Sequence, residues 1–452
     1  PAYFSFDFGA IHFVAYDGVG HEWRSPDHQE TWVRADLDAQ PIGTPVVMLI
    51  HFPWGDAFYD RFENDNIVAT FSGHWHCARL FQSGSTTHFN TPTFCFGGID
   101  QSPRAYRFCT VRDGVVTSEI RALDSTRFQG ASFRPASDDR TPISLGAKPP
   151  TPVEDWVQFR GASDRAGRSS ADPAAFEPAW KASAGGGLHQ GSSVLANGVL
   201  ITGTQNEDCP DTAGLVAMDA SDGSLLWHNS TFASIKLSPA VHEGQVFAVT
   251  VTGEVFNLNI KDGRPLWSYQ LGDASERWVY SSPLVRDNSL YVGMSPHFVS
   301  LDQQTGSVNW IRKDFGTRDW IASYPSPAGY GEFLILAFHG QPVNLGVLEA
   351  DTGKTVWLSD EEKTHRTNTT PVIGPDGTIY TVSGKSFVRA FDIQTGEVKW
   401  ECALDKTRCA ASPALSDNVL YVPTGDGTLT AMNAQSGQIA WTWEGDAGLG
   451  SF

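Results

Sequence analysis

Short runs in which apolar and polar residues alternate fill most of the chain. Runs such as LYVGM at 290–294, TIYTV at 378–382 and VLYVP at 419–423 keep a period of two, which predicts half-buried β-strands. The runs recur in register. Six segments share an acidic or polar residue, a short gap, Gly, three residues and then Trp, ending at Trp227, Trp267, Trp310, Trp357, Trp400 and Trp441. Successive Trp residues lie 40, 43, 47, 43 and 41 positions apart. Ser-Pro or Thr-Pro opens several of these units, at Ser238, Ser282, Thr370 and Ser412.

Each unit reads as four antiparallel strands. The Asp-x-x-Thr-Gly element predicts a tight hairpin, with Asp or Asn bonding the turn backbone and Gly taking positive φ. Trp then falls on the last strand, where a large flat ring can fill the gap to a neighbouring unit. Four strands per 40–47 residues predict a β-propeller.

The first 130 residues have another pattern. Val46–Ile50 is an apolar strand followed by His51, and Ile67–Ser72 is a second one followed by Gly73-His74-Trp75-His76. Residues 56–63 between them have helical spacing, as do residues 30–37, where Trp32, Val33 and Leu37 share a face. A strand, helix, strand unit brings the imidazoles to one sheet edge. Neutral imidazole suits Zn, Fe, Mn or Ni, so His51, His74 and His76 are the candidate metal ligands. Asp17 and Asp100 read as turn residues, His12 and His88 as satisfied strand residues, and Arg79 and Arg104 as solvated. Residues 131–153 hold five Pro and read as a linker.

Two resemblances follow from these residues. His51, then Gly73-His74-x-His76, with strands before them and Asn90-Thr91-Pro92, Phe96-Gly97-Gly98 and Tyr106-Arg107 after, resembles the calcineurin-like metallophosphoesterases. The repeats, entered through Asp155-Trp156-Val157-Gln158-Phe159-Arg160-Gly161, resemble the PQQ-like propellers, the family of quinoprotein dehydrogenases and outer-membrane assembly lipoproteins. Together they imply a mainly β chain. Residues 1–130 are the later part of an α/β phosphoesterase sandwich, 131–153 the linker, and 154–452 a propeller of six to seven four-stranded blades, seven or eight in the parent. The phosphoesterase resemblance implies two transition metals (Mn, Fe or Zn), with His51 and His74 on one and His76 on the other. It puts the catalytic His and bridging Asp upstream of residue 1, so that the start reads as truncated and the chain as inactive alone; on the propeller resemblance the closing GLGSF at 448–452 looks like the start of a further blade, so the end reads as truncated too.

Composition narrows the partners. Lys and Arg number 32 against 51 Asp and Glu, a net charge of −19, which argues against a nucleic-acid-binding surface. No apolar run reaches the length of a membrane helix. None of the six Cys are adjacent; the vicinal Cys pair of quinone-binding relatives is therefore missing, and no PQQ is expected. Cys402 and Cys409 can pair in an oxidising compartment or stand as two buried thiols. The function expected is hydrolysis of a phosphate ester on a small molecule or macromolecule, with the propeller docking a protein or presenting substrate. The alternative is a non-catalytic scaffold, and a PQQ-dependent dehydrogenase comes third. The resemblance and a Cys402–Cys409 bridge would fit a periplasmic or secreted protein.

Overall fold

The structure is a computed structural model. It describes residues 3–16, 27–51, 62–74, 77–95, 104–112, 115–123, 140–146, 155–169, 178–188, 191–205, 212–272, 281–294, 297–313, 325–338, 344–359, 369–383, 387–404, 412–424 and 427–445. The expected helix at 56–63 falls almost wholly outside these residues.

The N-terminal region is built on one mixed sheet. Its strands are β1 (Phe4–Phe8), β2 (Ile11–Tyr16), β3 (Val46–Ile50), β4 (Ile67–Ser72), β5 (Arg79–Ser83) and β6 (Thr86–Asn90), in the order β1-β2-β3-β4-β6-β5. Strands β2, β3, β4 and β6 run parallel, and β1 and β5 are antiparallel edges. Helix α1 (Asp27–Asp38) covers one face, where Val33 and Leu37 pack with Val14, Met48 and Ile50. The hairpin of β7 (Ala105–Arg112) and β8 (Val115–Ala122) meets the other face through Val111 and Val116. Arg107 ties this hairpin down by donating to Asn90 O (2.9 Å) and Thr91 Oγ1 (3.2 Å). Among the described residues this is one sheet with one helix and a hairpin. The phosphoesterase sandwich expected from the sequence is not what they form.

Downstream, β9 (Ile143–Ser144) pairs with β10 (Trp180–Lys181), and six four-stranded antiparallel sheets follow. The first blade is β11 (Val194–Ala196), β12 (Val199–Thr204), β13 (Gly214–Asp219) and β14 (Leu225–Ser230). The second is β15 (Ala240–His242), β16 (Gln245–Val249), β17 (Glu254–Asn259) and β18 (Pro265–Gln270), and the third is β19 (Leu284–Arg286), β20 (Ser289–Met294), β21 (His297–Asp302) and β22 (Val308–Arg312). The fourth is β23 (Ala328–Tyr330), β24 (Phe333–Ala337), β25 (Leu345–Glu349) and β26 (Thr355–Leu358). The fifth is β27 (Val372–Ile373), β28 (Ile379–Val382), β29 (Phe387–Phe391) and β30 (Val398–Ala403). The sixth is β31 (Ala414–Ser416), β32 (Val419–Pro423), β33 (Thr428–Asn433) and β34 (Ile439–Glu444).

The repeated motif explains how blades join. Asp or Asn at the end of the third strand accepts backbone N–H bonds in the turn, as Asp302 does from Thr305 (2.8 Å) and Asn433 from Ser436 (2.9 Å). The turn Gly then takes positive φ, as at Gly353 (68°). The Trp of one blade lies flat on the turn Gly of the next. A Cβ built on Gly353 would stand 2.7 Å from the Trp310 ring, so only Gly lets the ring seat. The indole N–H also donates to a carbonyl beside that turn, Trp310 to Ala350 O at 2.8 Å and Trp400 to Ala434 O at 2.9 Å.

The Ser-Pro and Thr-Pro starts make a second link. Ser192, Ser238, Ser282 and Ser326 each donate their backbone N–H to the hydroxyl of the corresponding residue one blade on, at 2.8–3.2 Å, and Thr370 does so to Ser412 (2.9 Å). A hydroxyl there satisfies a buried N–H that the start of a short strand leaves open.

Candidate functional site

Parallel strands β3 and β4 end side by side, and the Gly73 N–H donates to His51 O (3.1 Å). His74 follows at φ 59°, in the left-handed region, and the turn brings its ring to His51. His74 Nδ1 and His51 Nε2 are 3.2 Å apart, with the rings edge to face. His51 is exposed and His74 half-buried. His76 lies outside the described residues, as do Asp17, Asp100, Cys209 and Cys409. The structure therefore unites two of the three sequence-predicted ligands. Among the described residues no group of three or more His, Cys, Asp or Glu is placed to hold a metal ion.

The other singled-out residues of this region are structural. His12 is 3% exposed and clamped between Asp7 (2.7 Å) and Asp36 (2.8 Å). Burial pushes its pKa down, but the hydrogen bonds to Asp7 and Asp36 outweigh that and hold it above the usual imidazole value. His88 bonds Thr70 Oγ1 (2.8 Å) and stacks on Phe81; burial, and then the positive charge of Arg79, push its pKa down to about 3. Arg79 is not solvated: it is 1% exposed, and its guanidinium lies over the Phe81 ring at 4.8 Å.

Sequence reasoning gave the segment 155–166 no role beyond a propeller entry, yet it threads the propeller axis. One backbone N–H on the innermost strand of each blade is accepted by this segment. Leu195 donates to Trp156 O (2.9 Å), Val241 to Val157 O (2.6 Å) and Val285 to the side-chain oxygen of Gln158 (3.3 Å). Gly329 donates to Ser163 O (2.8 Å), Ile373 to Asp164 O (2.9 Å) and Leu415 to Ala166 O (3.0 Å). Arg165, fully buried, donates to Pro327 O (2.9 Å), Phe159 O (2.6 Å) and Pro283 O (3.1 Å). Burial, and then the neighbouring Arg160, lower its pKa to about 9, so it stays charged at neutral pH. The Trp-x-Gln-Phe-Arg-Gly motif was the available signal; the partners of the segment it opens, spread across all six blades, were not readable from it.

A further contact joins the two regions. Lys236, 2% exposed on the connection between the first two blades, donates to Ala78 O (3.1 Å), just beyond the Gly-His-x-His segment.

A family model described as outer membrane protein assembly factor BamB matches residues 169–318 and 341–450, more than half of the chain. Among similar proteins, the outer membrane protein assembly factor BamB of Moranella endobia is 26% identical over 54% of this chain and 63% of its own length. The quinoprotein alcohol dehydrogenase PedH of Pseudomonas putida is 26% identical over 42% of this chain and 32% of its own. The crystal structure of BamB from Moraxella catarrhalis superposes with a TM-score of 0.44 at 22% identity, covering 55% of this chain and 70% of that one. The chain spans between about a third and two thirds of the curated relatives it matches first.

These findings correct several expectations. No metallophosphoesterase model matches, and the similar proteins are propellers, so the calcineurin-like resemblance of residues 1–122 does not stand. The hydrolase reading falls with it, and so does the phosphate-ester substrate. Physically, a His after a strand and Gly-His-x-His form a short local pattern, and any parallel sheet edge can present it. The pair of Mn, Fe or Zn ions is likewise corrected, and with it the expectation of no PQQ drawn from the missing vicinal Cys pair: among the described residues no such metal site is placed, and the cofactor class named among the relatives is a quinone, as in the quinoprotein PedH. Around 155–166 the inner-edge donors and the Arg165 guanidinium are spent on the chain's own carbonyls, so at this level the axis does not fit a quinone.

Proposed function

The chain belongs to the family of the outer membrane protein assembly factor BamB, and from that membership we propose that it is a non-catalytic interaction propeller that binds protein segments in the assembly of envelope proteins. One contrast carries the reading: the axis is lined by the chain's own segment 155–166, while among the described residues the fourth strand of each blade has no further strand paired to it and carries an exposed apolar residue. Leu226 (46% exposed), Leu266 (40%), Val308 (44%), Leu358 (41%), Val398 (43%) and Ile439 (50%) sit on these outermost strands. A free edge with apolar side chains accepts an extended segment by backbone pairing, with the side chains adding selectivity. The net charge of −19 favours basic stretches in that segment. The working compartment in this reading is the periplasm; no helix among the described residues is long and apolar enough to cross a membrane.

The experiment is photo-crosslinking from positions 226 and 266 to an unfolded outer-membrane β-barrel protein. Saturable crosslinks competed by unlabelled precursor are expected. Precursor labelling no stronger from these positions than from the exposed turn residue Asp222 would reject the reading.

Two finer assignments belong to the same proposal. The chain divides at 1–130, 131–153 and 154–452, the last holding six to seven blades. His51, His74 and His76 act as an imidazole cluster for one divalent ion. Two imidazole nitrogens on a tetrahedral ion stand about 3.3 Å apart, close to the 3.2 Å between His74 and His51. Equilibrium dialysis with zinc tests this: one ion per chain, lost in His74→Ala, is expected, and uptake unchanged by that substitution contradicts it.

A further inference from the structure

The seams between neighbouring blades are built alike, but one of them is polar inside. In each seam two positions flank the docked indole. One is the residue paired with the Trp on the third strand of its own blade; the other is the residue of the next blade whose carbonyl accepts the indole N–H. These are Ala217 and Ile260 between the first and second blades, Val347 and Ile393 between the fourth and fifth, and Ala390 and Ala434 between the fifth and sixth. Ile260 and Ile393 pack in the same clusters as Trp227 and Trp357, so this second position points into the seam. Between the third and fourth blades the pair is Ser300 and Ala350, and the Ser300 hydroxyl accepts from Asn309 Nδ2 (3.2 Å).

Between the second and third blades the two positions hold Asn257 and Gln303. Both are 0% exposed. Asn257 Nδ2 donates to Gln245 Oε1 and to Gln303 O (3.3 Å). Asn257 Oδ1, Gln303 Oε1 and Gln303 Nε2 have no partner in the protein. Native proteins bond almost every buried polar atom, and where the chain offers no partner the partner is solvent.

The atoms left over select the ligand. Two amide oxygens need donors and one N–H group needs an acceptor. A cation would meet the oxygens and be repelled by the N–H; an anion would do the reverse. Water donates and accepts at once. A route in is also present: Gln304 is exposed, half-buried Gln245 donates to Gln304 Oε1 (2.9 Å), and Gln245 in turn accepts from buried Asn257. We infer that the seam between the second and third blades is an internal hydration site. It holds roughly one or two waters between the Asn257 and Gln303 side chains, and they exchange with solvent past Gln245.

The test rebuilds this seam in the image of the first one, by combining Asn257→Ala with Gln303→Ile. Oxygen-17 relaxation dispersion of water, which counts long-lived internal waters, should show roughly one or two fewer in the double variant than in the unaltered chain. Gln303→Ile alone removes one partner of the water and leaves Asn257 Oδ1 behind, so it should lower the unfolding midpoint by roughly 2–4 °C; the double variant should recover most of that loss. An unchanged count of long-lived waters in the folded double variant would overturn the inference. So would a high-resolution crystal structure of the unaltered chain with no solvent atom in hydrogen-bond reach of both side chains, a readout that holds even where the variants fail to fold.

Discussion

The propeller and the N-terminal sheet are both mostly strand, but they are held together on different principles. In the propeller each contact is made many times. Trp on Gly, hydroxyl to N–H, and inner edge to the threading segment recur from blade to blade. In the N-terminal sheet each contact is made once: His12 between two carboxylates, Arg107 across to Asn90, His74 against His51. Repetition makes a motif trustworthy, because chance does not reproduce it. A unique contact carries no such check, and it was there that a short pattern suggested a chemistry the comparisons do not uphold.

The largest effect expected lies on the axis. Arg165→Ala removes a buried guanidinium that bonds three carbonyls and leaves a cavity between blades, so we expect a loss of about 3–5 kcal/mol in denaturant unfolding. A loss under about 1 kcal/mol would mean that the segment is an ornament and that the blades hold one another.

Next comes Gly353→Val, which forces a side chain at φ 68° into the Trp310 ring. About 3–5 kcal/mol is expected, against about 1–2 kcal/mol of backbone strain alone for Gly331→Val, whose φ is also positive but whose Cβ would meet nothing within 4 Å. Equal costs would show that backbone strain alone, and not the Trp seat, fixes the turn.

Lys236→Met keeps the buried stem and deletes the N–H donor to Ala78 O. About 1–2 kcal/mol is expected, read most clearly as faster exchange of the 77–80 amides. No change in that exchange would separate the two regions energetically.

The smallest effect is a pH dependence. The His12 pKa is raised in the folded state, so its contribution is complete below the unfolded imidazole value of 6.5 and is lost as pH rises through the higher folded value. Unfolding followed from pH 6 to 9 should show this decline in the N-terminal region, and His12→Gln should abolish it. A wild-type stability that rises over that range would contradict the assignment.

How much was legible follows the same division. The strands, the Asp-x-x-Thr-Gly hairpins and the Trp positions could be read because six copies reinforced one another. The proximity of His51 and His74 could be read because two parallel strands fix where their ends lie. The role of the Ser-Pro and Thr-Pro starts could not, since each hydroxyl serves the preceding blade, 42–46 residues back. Arg165 could not either: its carbonyl partners at 283 and 327 lie more than 100 residues away, and an Arg in a Gly- and Ser-rich stretch reads as solvated. Burial of Arg79 was missed for a related reason, because the hydrophobic pattern of β5 assigns it to a strand without saying that its face is covered.

The central claim is that one segment closes the inner edges of all six blades, so that the protein works through its outside. Residue-resolved hydrogen exchange of the amides of Leu195, Val241, Val285, Gly329, Ile373 and Leu415, with and without added quinone, tests it most directly. The account predicts that all six exchange with the slowest class of amides and that quinone leaves them unchanged. Fast exchange at these positions that quinone slows would show an open axis built to hold a cofactor, and would contradict it.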